Sequence, residues 1–269
     1  SFGLQWNIHN RTQYDETSKH DLSRIRFYEQ TKWPHNLNGE VILEAGSGSG
    51  RFTKYAVETG AMVISFDYSN AVEANYKSNG DLENLIIVQA SIYEMPFSKE
   101  AFERVFCIGV IQHTPDPEQS FYKLIEMMKP GGYLCTDVYL KNFAKVYATP
   151  KYLIRKFTKG RPPEKLYRRI VKYIDFMWPV FKIVRKIPFI GKSINWRLMI
   201  ADYSKDLPNA SDETLKQWAY LDSMDMLSPA FDIPQTKRTF TKWHQKAGLV
   251  SLDIHYGYNG IEARARKMD

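Results

Sequence analysis

The sequence predicts a doubly wound α/β fold. Its sheet is mainly parallel and seven-stranded, and a helical insertion precedes the last helix and hairpin. Three observations lead there. Short apolar runs alternate with helical stretches over residues 38–140, the pattern of parallel strands joined by right-handed crossovers. The first of these runs ends in a glycine-rich turn. The alternation stops after residue 140 and resumes at 236, so residues 141–235 interrupt it, and that stretch is too long for a plain loop.

The elements follow in order. Residues 17–33 read as a helix capped by Thr17 or Ser18, with Leu22, Ile25, Arg26 and Tyr28 near one face. Val41-Ile42-Leu43 is a buried strand. Residues 51–59 form a helix stopped by Gly60, and Ala61 to Phe66 a second strand ending at Asp67. Ser69 caps a helix to Lys77, closed by Asn79-Gly80. Leu85 to Val88 and Val105 to Val110 are the third and fourth strands. Asp116 to Met128 is a helix ended by Lys129-Pro130-Gly131-Gly132, and Tyr133 to Tyr139 is the fifth strand. After the insertion, residues 237–247 are helical up to Gly248, and Val250–Tyr256 pairs with Ile261–Arg266 as a hairpin. Residues 1–37 form an N-terminal cover, 38–140 with 236–269 the core, and 141–235 a basic helical lid.

Charge is unevenly spread. The 269 residues carry a net +7, yet residues 141–200 hold 16 Lys or Arg against Glu164 and Asp175, a local +14 that leaves −7 for the rest. Prolines at 150, 162, 163, 179 and 188 in this segment favour short helices over one long amphipathic helix. The two cysteines, Cys107 and Cys135, lie in apolar runs and read as buried thiols of a reducing compartment. The six histidines show no metal-ligand spacing, so no metal is expected.

The most informative stretch is Val41 to Thr53, VILEAGSGSGRFT, a strand running into Glu44, Gly46, Gly48 and Gly50. A phosphate-binding P-loop requires Gly-Lys-Ser/Thr, and Arg51-Phe52-Thr53 has no lysine. A dinucleotide fingerprint from Gly46 requires glycine at 51, where Arg51 stands. An acidic-x-Gly-x-Gly-x-Gly turn fits, with Asp67 ending the second strand as a carboxylate suited to ribose hydroxyls.

Five blocks in order, LEAGSGSG at 43–50, ISFDYS at 64–69, IYEMPF at 92–97, FERVFCIGVIQHTPDPE at 102–118 and MMKPGGYL at 127–134, resemble the class I S-adenosylmethionine-dependent methyltransferases. In particular, they are similar to the small-molecule group of ubiquinone-biosynthesis methyltransferases. The resemblance implies a Rossmann-like methyltransferase fold and S-adenosyl-L-methionine as cofactor, with S-adenosyl-L-homocysteine as product. It implies a cofactor site of Glu44, Ala45, Gly46, Gly48, Gly50, Phe66, Asp67, Tyr68, Ser91, Ile92, Ile108, Gly109 and Gln112. Backbone amides of the turn and Asp67 are expected to grip the adenosyl sulfonium. Ser91 departs from the family pattern, which has an acid there.

The implied activity is methylation of a small molecule at a hydroxyl. A general base assists such a transfer, and His113 is the catalytic candidate; the alternative is a histidine that braces the Thr114–Pro117 turn. Trp6, Gln13 and Tyr14, in an aromatic and amide-rich N-terminal stretch, are candidates for acceptor contact, the alternative being an arm that shields the core. Asp222 and Asp225 sit among apolar residues, as ion-pair partners of the basic insertion or, for Asp225, as an acceptor contact. The lid suits an anionic or lipid-linked acceptor. Peripheral membrane contact and a homodimer are further expectations, and nucleic acid ranks last because no RNA-binding module is recognised. The alternative function is methylation of a macromolecule, RNA or protein, or of a membrane-associated lipid-linked acceptor. With no signal peptide and no apolar run of membrane length, the expected location is cytoplasmic.

Overall fold

Short runs rich in β-branched and aromatic residues set the sheet. β1 (Val41–Ala45), β2 (Met62–Asp67), β3 (Leu85–Gln89), β4 (Phe102–Cys107) and β5 (Met128–Tyr139) pair in parallel. β6 (Val250–Gly257) and β7 (Gly260–Arg266) form the expected hairpin, with β7 antiparallel to β5. The order β3-β2-β1-β4-β5-β7-β6 makes the seven-stranded sheet. Chain direction through the sheet reverses between β1 and β4, and the carboxyl ends of strands at such a point form the ligand crevice of open α/β sheets. The computed structural model describes residues 1–18, 20–141 and 150–269. Residues 142–149 of the expected insertion, and the side chain of Ser18 named as a cap, lie outside the described residues.

In chain order the α-helices are α1 (Phe2–Ile8), α2 (Asp15–Ser18), α3 (Leu22–Thr31), α4 (Thr53–Val57), α5 (Val72–Asn79), α6 (Pro117–Met127), α7 (Lys151–Thr158), α8 (Pro163–Val184), α9 (Gly191–Arg197), α10 (Asp212–Leu227) and α11 (Lys237–Lys246). They belong to two compact units. Leu22–Lys141 with Phe231–Asp269 is the sheet unit, and Ser1–Asp21 with Asn142–Ala230 is the helical unit.

In the sheet unit the two-residue period of the strands sends side chains to opposite faces. Ile42, Phe106 and Ile108 join Phe27, Trp33 and Tyr55 in one core. Leu43, Val105 and Cys107 join Phe121, Leu124, Phe240 and Trp243 in the other. Both faces are therefore dry, as the continuous apolar strands require. Asp116 accepts from the Gln119 N–H at 3.0 Å and Pro117 sits at the first position of α6, so this helix starts where its sequence signals place it.

Several elements differ from the sequence reading: β5 starts at Met128 rather than Tyr133, the helix expected from Ser69 starts at Val72 without a side-chain cap, and three further cases have a visible cause. The helix expected over 17–33 is two helices: the His20 N–H bonds back to the Asp15 carbonyl at 3.1 Å and its ring meets the Asp15 carboxylate at 3.0 Å, closing α2 before α3 begins. The fourth strand ends at Cys107 rather than Val110, because Gly109 turns to φ +79° and Ile111–His113 forms a 3-10 turn. The prolines do not break α8. It runs for 22 residues through Pro179. Leu166, Ile170, Ile174, Trp178 and Phe181 make a buried stripe, and the Trp178 and Phe181 rings stack 4.4 Å apart. The Trp178 indole N–H also donates to Asp212 at 2.8 Å. That packing outweighs the hydrogen bond lost at the proline.

Candidate active site

The glycine turn after β1 is held by its own amides. Gly46 N–H and Ser47 N–H donate to the Phe66 carbonyl at 2.8 and 3.0 Å, Gly50 N–H to the Ser47 carbonyl at 2.9 Å, and Gly48 N–H to Asp67 Oδ2 at 3.0 Å. Gly46 takes φ +77°, and a Cβ there would stand 2.4 Å from Val110 Cγ2. The turn is therefore a close fit of backbone to backbone and to the β4 loop. Phosphate-binding loops instead aim free N–H groups at their anion. The expectation that these amides grip a ligand meets this difference: four of them are already bonded, three to the end of β2 and one within the turn.

Carboxylates dominate the surroundings. Glu44 is 2% exposed, and its Oε2 accepts from the Ser65 hydroxyl at 2.7 Å and the Thr53 hydroxyl at 2.5 Å. Burial lifts its pKa to about 7 against the pull of those two hydrogen bonds, with the nearby Asp67 charge adding to the rise. Asp67 is partly exposed at the end of β2. Its Oδ1 accepts from Ser69 N–H at 2.8 Å and the Ser69 hydroxyl at 2.7 Å, and its Oδ2 from Gly48 N–H at 3.0 Å. A carboxylate has about four acceptor sites, so Oδ2 keeps room for a hydroxyl. Asp137 is fully buried near the end of β5. It accepts from Gly109 N–H at 2.6 Å, Gln30 at 3.1 Å, Asn259 at 3.1 Å and Arg26 at 3.2 Å. Burial raises the Cys107 thiol well above its ordinary pKa, and the charges of Asp137, Asp67 and Glu44 push the same way.

The remaining expected residues line the same strand ends. Ala45 closes β1 and Phe66 lies in β2, both buried, while Tyr68 beyond Asp67 is 78% exposed. Ser91 follows β3; its hydroxyl accepts from Tyr93 N–H at 3.2 Å, and Ile92 is buried. Ile108 is buried beside Gly109. Gln112 is fully buried, yet neither its side-chain oxygen nor its nitrogen has a hydrogen-bond partner among the described residues. His113 Nδ1 meets the Phe231 carbonyl at 3.1 Å, and its ring lies edge-on to Tyr139 at 5.2 Å. Trp6, Gln13, Tyr14 and Asp225 belong to the helical unit. There, Gln13 and Tyr14 are buried, and Asp222 accepts from the Tyr203 hydroxyl. A concavity of about 690 Å³ among Lys99, Tyr122, Glu126 and Lys246 lies near the start of β4, away from these strand ends. Among the described residues no cluster of three metal-ligating side chains occurs.

Residues 43–136 match the family model described as a methyltransferase domain. Over those residues the chain carries a methyltransferase domain. It is 27% identical to a ubiquinone biosynthesis O-methyltransferase of Coxiella burnetii over 143 residues, 51% of this chain and 59% of that protein. It is 30% identical to a tRNA U34 carboxymethyltransferase of Ruthia magnifica subsp. Calyptogena magnifica over 128 residues, 43% of this chain and 39% of that one. The matches thus span about half of this chain and less than two thirds of those relatives. By fold, a chain of the complex between the Haloferax volcanii Trm112 methyltransferase activator and a methyltransferase covers all of this chain and 98% of its own length, at 11% identity and a TM-score of 0.53.

The cofactor of the methyltransferase domain is S-adenosyl-L-methionine. The residues present fit it. Its sulfonium and ammonium are cations, and the strand ends offer carboxylates with the loop amides withheld. Gln112 supplies an unpartnered donor and acceptor, which native structures retain where a ligand completes the bonding.

Sequence reasoning missed Asp137. An acid within the apolar run of β5 was its signal, and Arg26 on the apolar face of α3 was the signal for its partner. Asn259, in the hairpin turn, gave no sign in the sequence.

Proposed function

We propose that this chain is an S-adenosylmethionine-dependent methyltransferase that methylates a hydroxyl of a small-molecule acceptor. One observation carries the reading: the amides of the glycine turn are already bonded, while the Asp67 carboxylate at the end of β2 keeps acceptor capacity. A crevice of this kind favours a sulfonium and disfavours a nucleotide phosphate. When bound, the cofactor supplies an activated methyl group and leaves as S-adenosyl-L-homocysteine.

The chain's own residues have three tasks. Asp67 Oδ2 accepts a ribose hydroxyl, and release of the rotatable Ser69 hydroxyl opens Oδ1 to the second. Gln112 binds polar atoms of the ligand in a dry setting, where each hydrogen bond counts for more. His113 takes the acceptor's proton: Nδ1–H donates to the Phe231 carbonyl, an assignment made from that bond, which makes Nε2 the basic nitrogen. Cofactor capture falls to the sheet unit and acceptor selection to the helical unit. Trp6, Gln13, Tyr14 and Asp225 then set acceptor KM while leaving cofactor Kd unchanged. The basic helical segment favours an anionic or lipid-linked acceptor.

Calorimetry with S-adenosylmethionine, S-adenosylhomocysteine, NAD⁺ and ATP tests the reading. The first two bind and the others do not; binding of ATP or NAD⁺ instead of the adenosyl sulfonium overturns it. Methyl uptake by a panel of hydroxylated carboxylates, prenylated phenols and short RNA then separates small-molecule from macromolecular acceptors.

A further inference from the structure

The outward face of α8 is divided along its length. Lys165, Arg168, Arg169 and Lys172 stand exposed over its first half. Phe176, Val180 and Ile183 follow on the same face at helical spacing, 81%, 44% and 69% exposed. Just beyond the helix Phe189 is 95% exposed and takes φ +63°, a conformation bulky side chains rarely adopt. The opposite face is the buried stripe through Trp178, so α8 is amphipathic twice over: one apolar face packs inward and a second, partly cationic one meets solvent.

We propose that this outer face docks flat on an anionic lipid surface. Lys165, Arg169 and Lys172 lie over the headgroups, while Phe176, Ile183 and Phe189 enter the acyl boundary. Charge decides the occupant. The segment 141–200 carries +14, and of the two acids that flank this face, Glu164 in the first turn and Asp175, the second is already held by Lys216 at 2.7 Å and by the Tyr220 hydroxyl at 2.5 Å. A second copy would set like charge against like charge. A nucleic acid would meet aliphatic and aromatic tips where phosphates need donors. Among the described residues no helix is long and apolar enough to cross a membrane, so the association is lateral. It stands independently of methyl transfer.

Sedimentation of the full chain with vesicles tests it, using phosphatidylcholine alone or with about a third phosphatidylglycerol. The anionic vesicles carry the protein down and the neutral ones do not. Phe176→Ser/Ile183→Ser/Phe189→Ser and, separately, Lys165→Glu/Arg169→Glu/Lys172→Glu each weaken binding at least about tenfold, with melting temperature and cofactor affinity retained. Equal binding to both vesicle types, or an apolar triple variant that sediments like the parent, overturns the proposal. So does a parental dimer that the apolar variant turns to monomer without vesicle binding. Retention of short RNA that is lost only in the charge variant, with no vesicle binding, overturns it in favour of nucleic acid.

Discussion

The buried carboxylate of Asp137 accepts the backbone N–H of Gly109 at 2.6 Å, fixing the loop that follows β4 from the strand beside it. Its other oxygen gathers Arg26, Gln30 and Asn259, from α3 and the hairpin turn. Asp137→Asn keeps the volume but turns an amide N–H toward groups that are all donors. The variant loses about 3–5 kcal/mol by urea unfolding, the range for breaking a buried pair. Since Gly109 adjoins the candidate cofactor site, affinity for S-adenosylmethionine falls as well. A variant as stable as the parent would show that the four bonds contribute little.

Gln112 should show the opposite trade. Its amide is buried without a partner, at a desolvation cost of about 1–3 kcal/mol. Gln112→Met removes that cost and raises the melting temperature, while weakening S-adenosylmethionine binding in calorimetry. A variant that gains stability with unchanged Kd would make Gln112 a packing residue.

Asp67→Asn isolates the proposed ribose contact. Hydrogen bonds to a charged acceptor contribute about 1.5–3 kcal/mol, so Kd rises roughly tenfold to a hundredfold. The Gly48 and Ser69 bonds to the side chain are partly kept, and stability changes little. Unchanged affinity would remove Asp67 from the site.

Gly46→Ala separates two effects in the turn. The new methyl meets Val110, and φ +77° is costly for any side chain. Gly46→Ala/Val110→Ala relieves the clash but keeps the backbone penalty of about 1–2 kcal/mol. The cycle therefore yields a favourable coupling between the two substitutions. Additive losses would mean that the loop yields instead of the side chain.

Much of this was legible in the sequence, for definite reasons. The strands were readable because apolar runs of a few residues bounded by Gly, Asp or Pro admit little else; Val41–Ala45 and the 250–266 hairpin are examples. The glycine turn was readable because three positive-φ positions need glycine. The fate of its amides was not, since Gly48 donating to Asp67 depends on pairing between strands far apart in sequence. Pro179 misled for a similar reason: a local rule forecast a break, and the packed stripe of the helix, with the Trp178 indole bonded to distant Asp212, overrode it. Asp137 stayed hidden because its four donors come from three separate parts of the chain.

Two buried groups of the sheet unit set its pH response, with opposite signs. His244 packs on Phe121 and Phe240, donates from Nδ1 to the Phe240 carbonyl at 2.8 Å, and burial lowers its pKa to about 4. Between pH 6.5 and about 4 the unfolded chain binds a proton there that the native chain refuses, so His244 removes stability as pH falls. Glu44, raised to about 7, is protonated in the native state while ionised in the unfolded one between about 7 and 4.5, so it adds stability as pH falls through that window. Each is worth up to about 3 kcal/mol, and over their shared range they nearly cancel. His244→Leu, close in volume, leaves the Glu44 contribution alone, and urea midpoints of this variant rise relative to the parent on going from about pH 7.5 to 5. Glu44→Gln leaves the histidine alone, so its midpoints fall over the same change while it gains stability above about pH 7. Parallel pH profiles for parent and both variants would mean that neither group is perturbed as its burial requires.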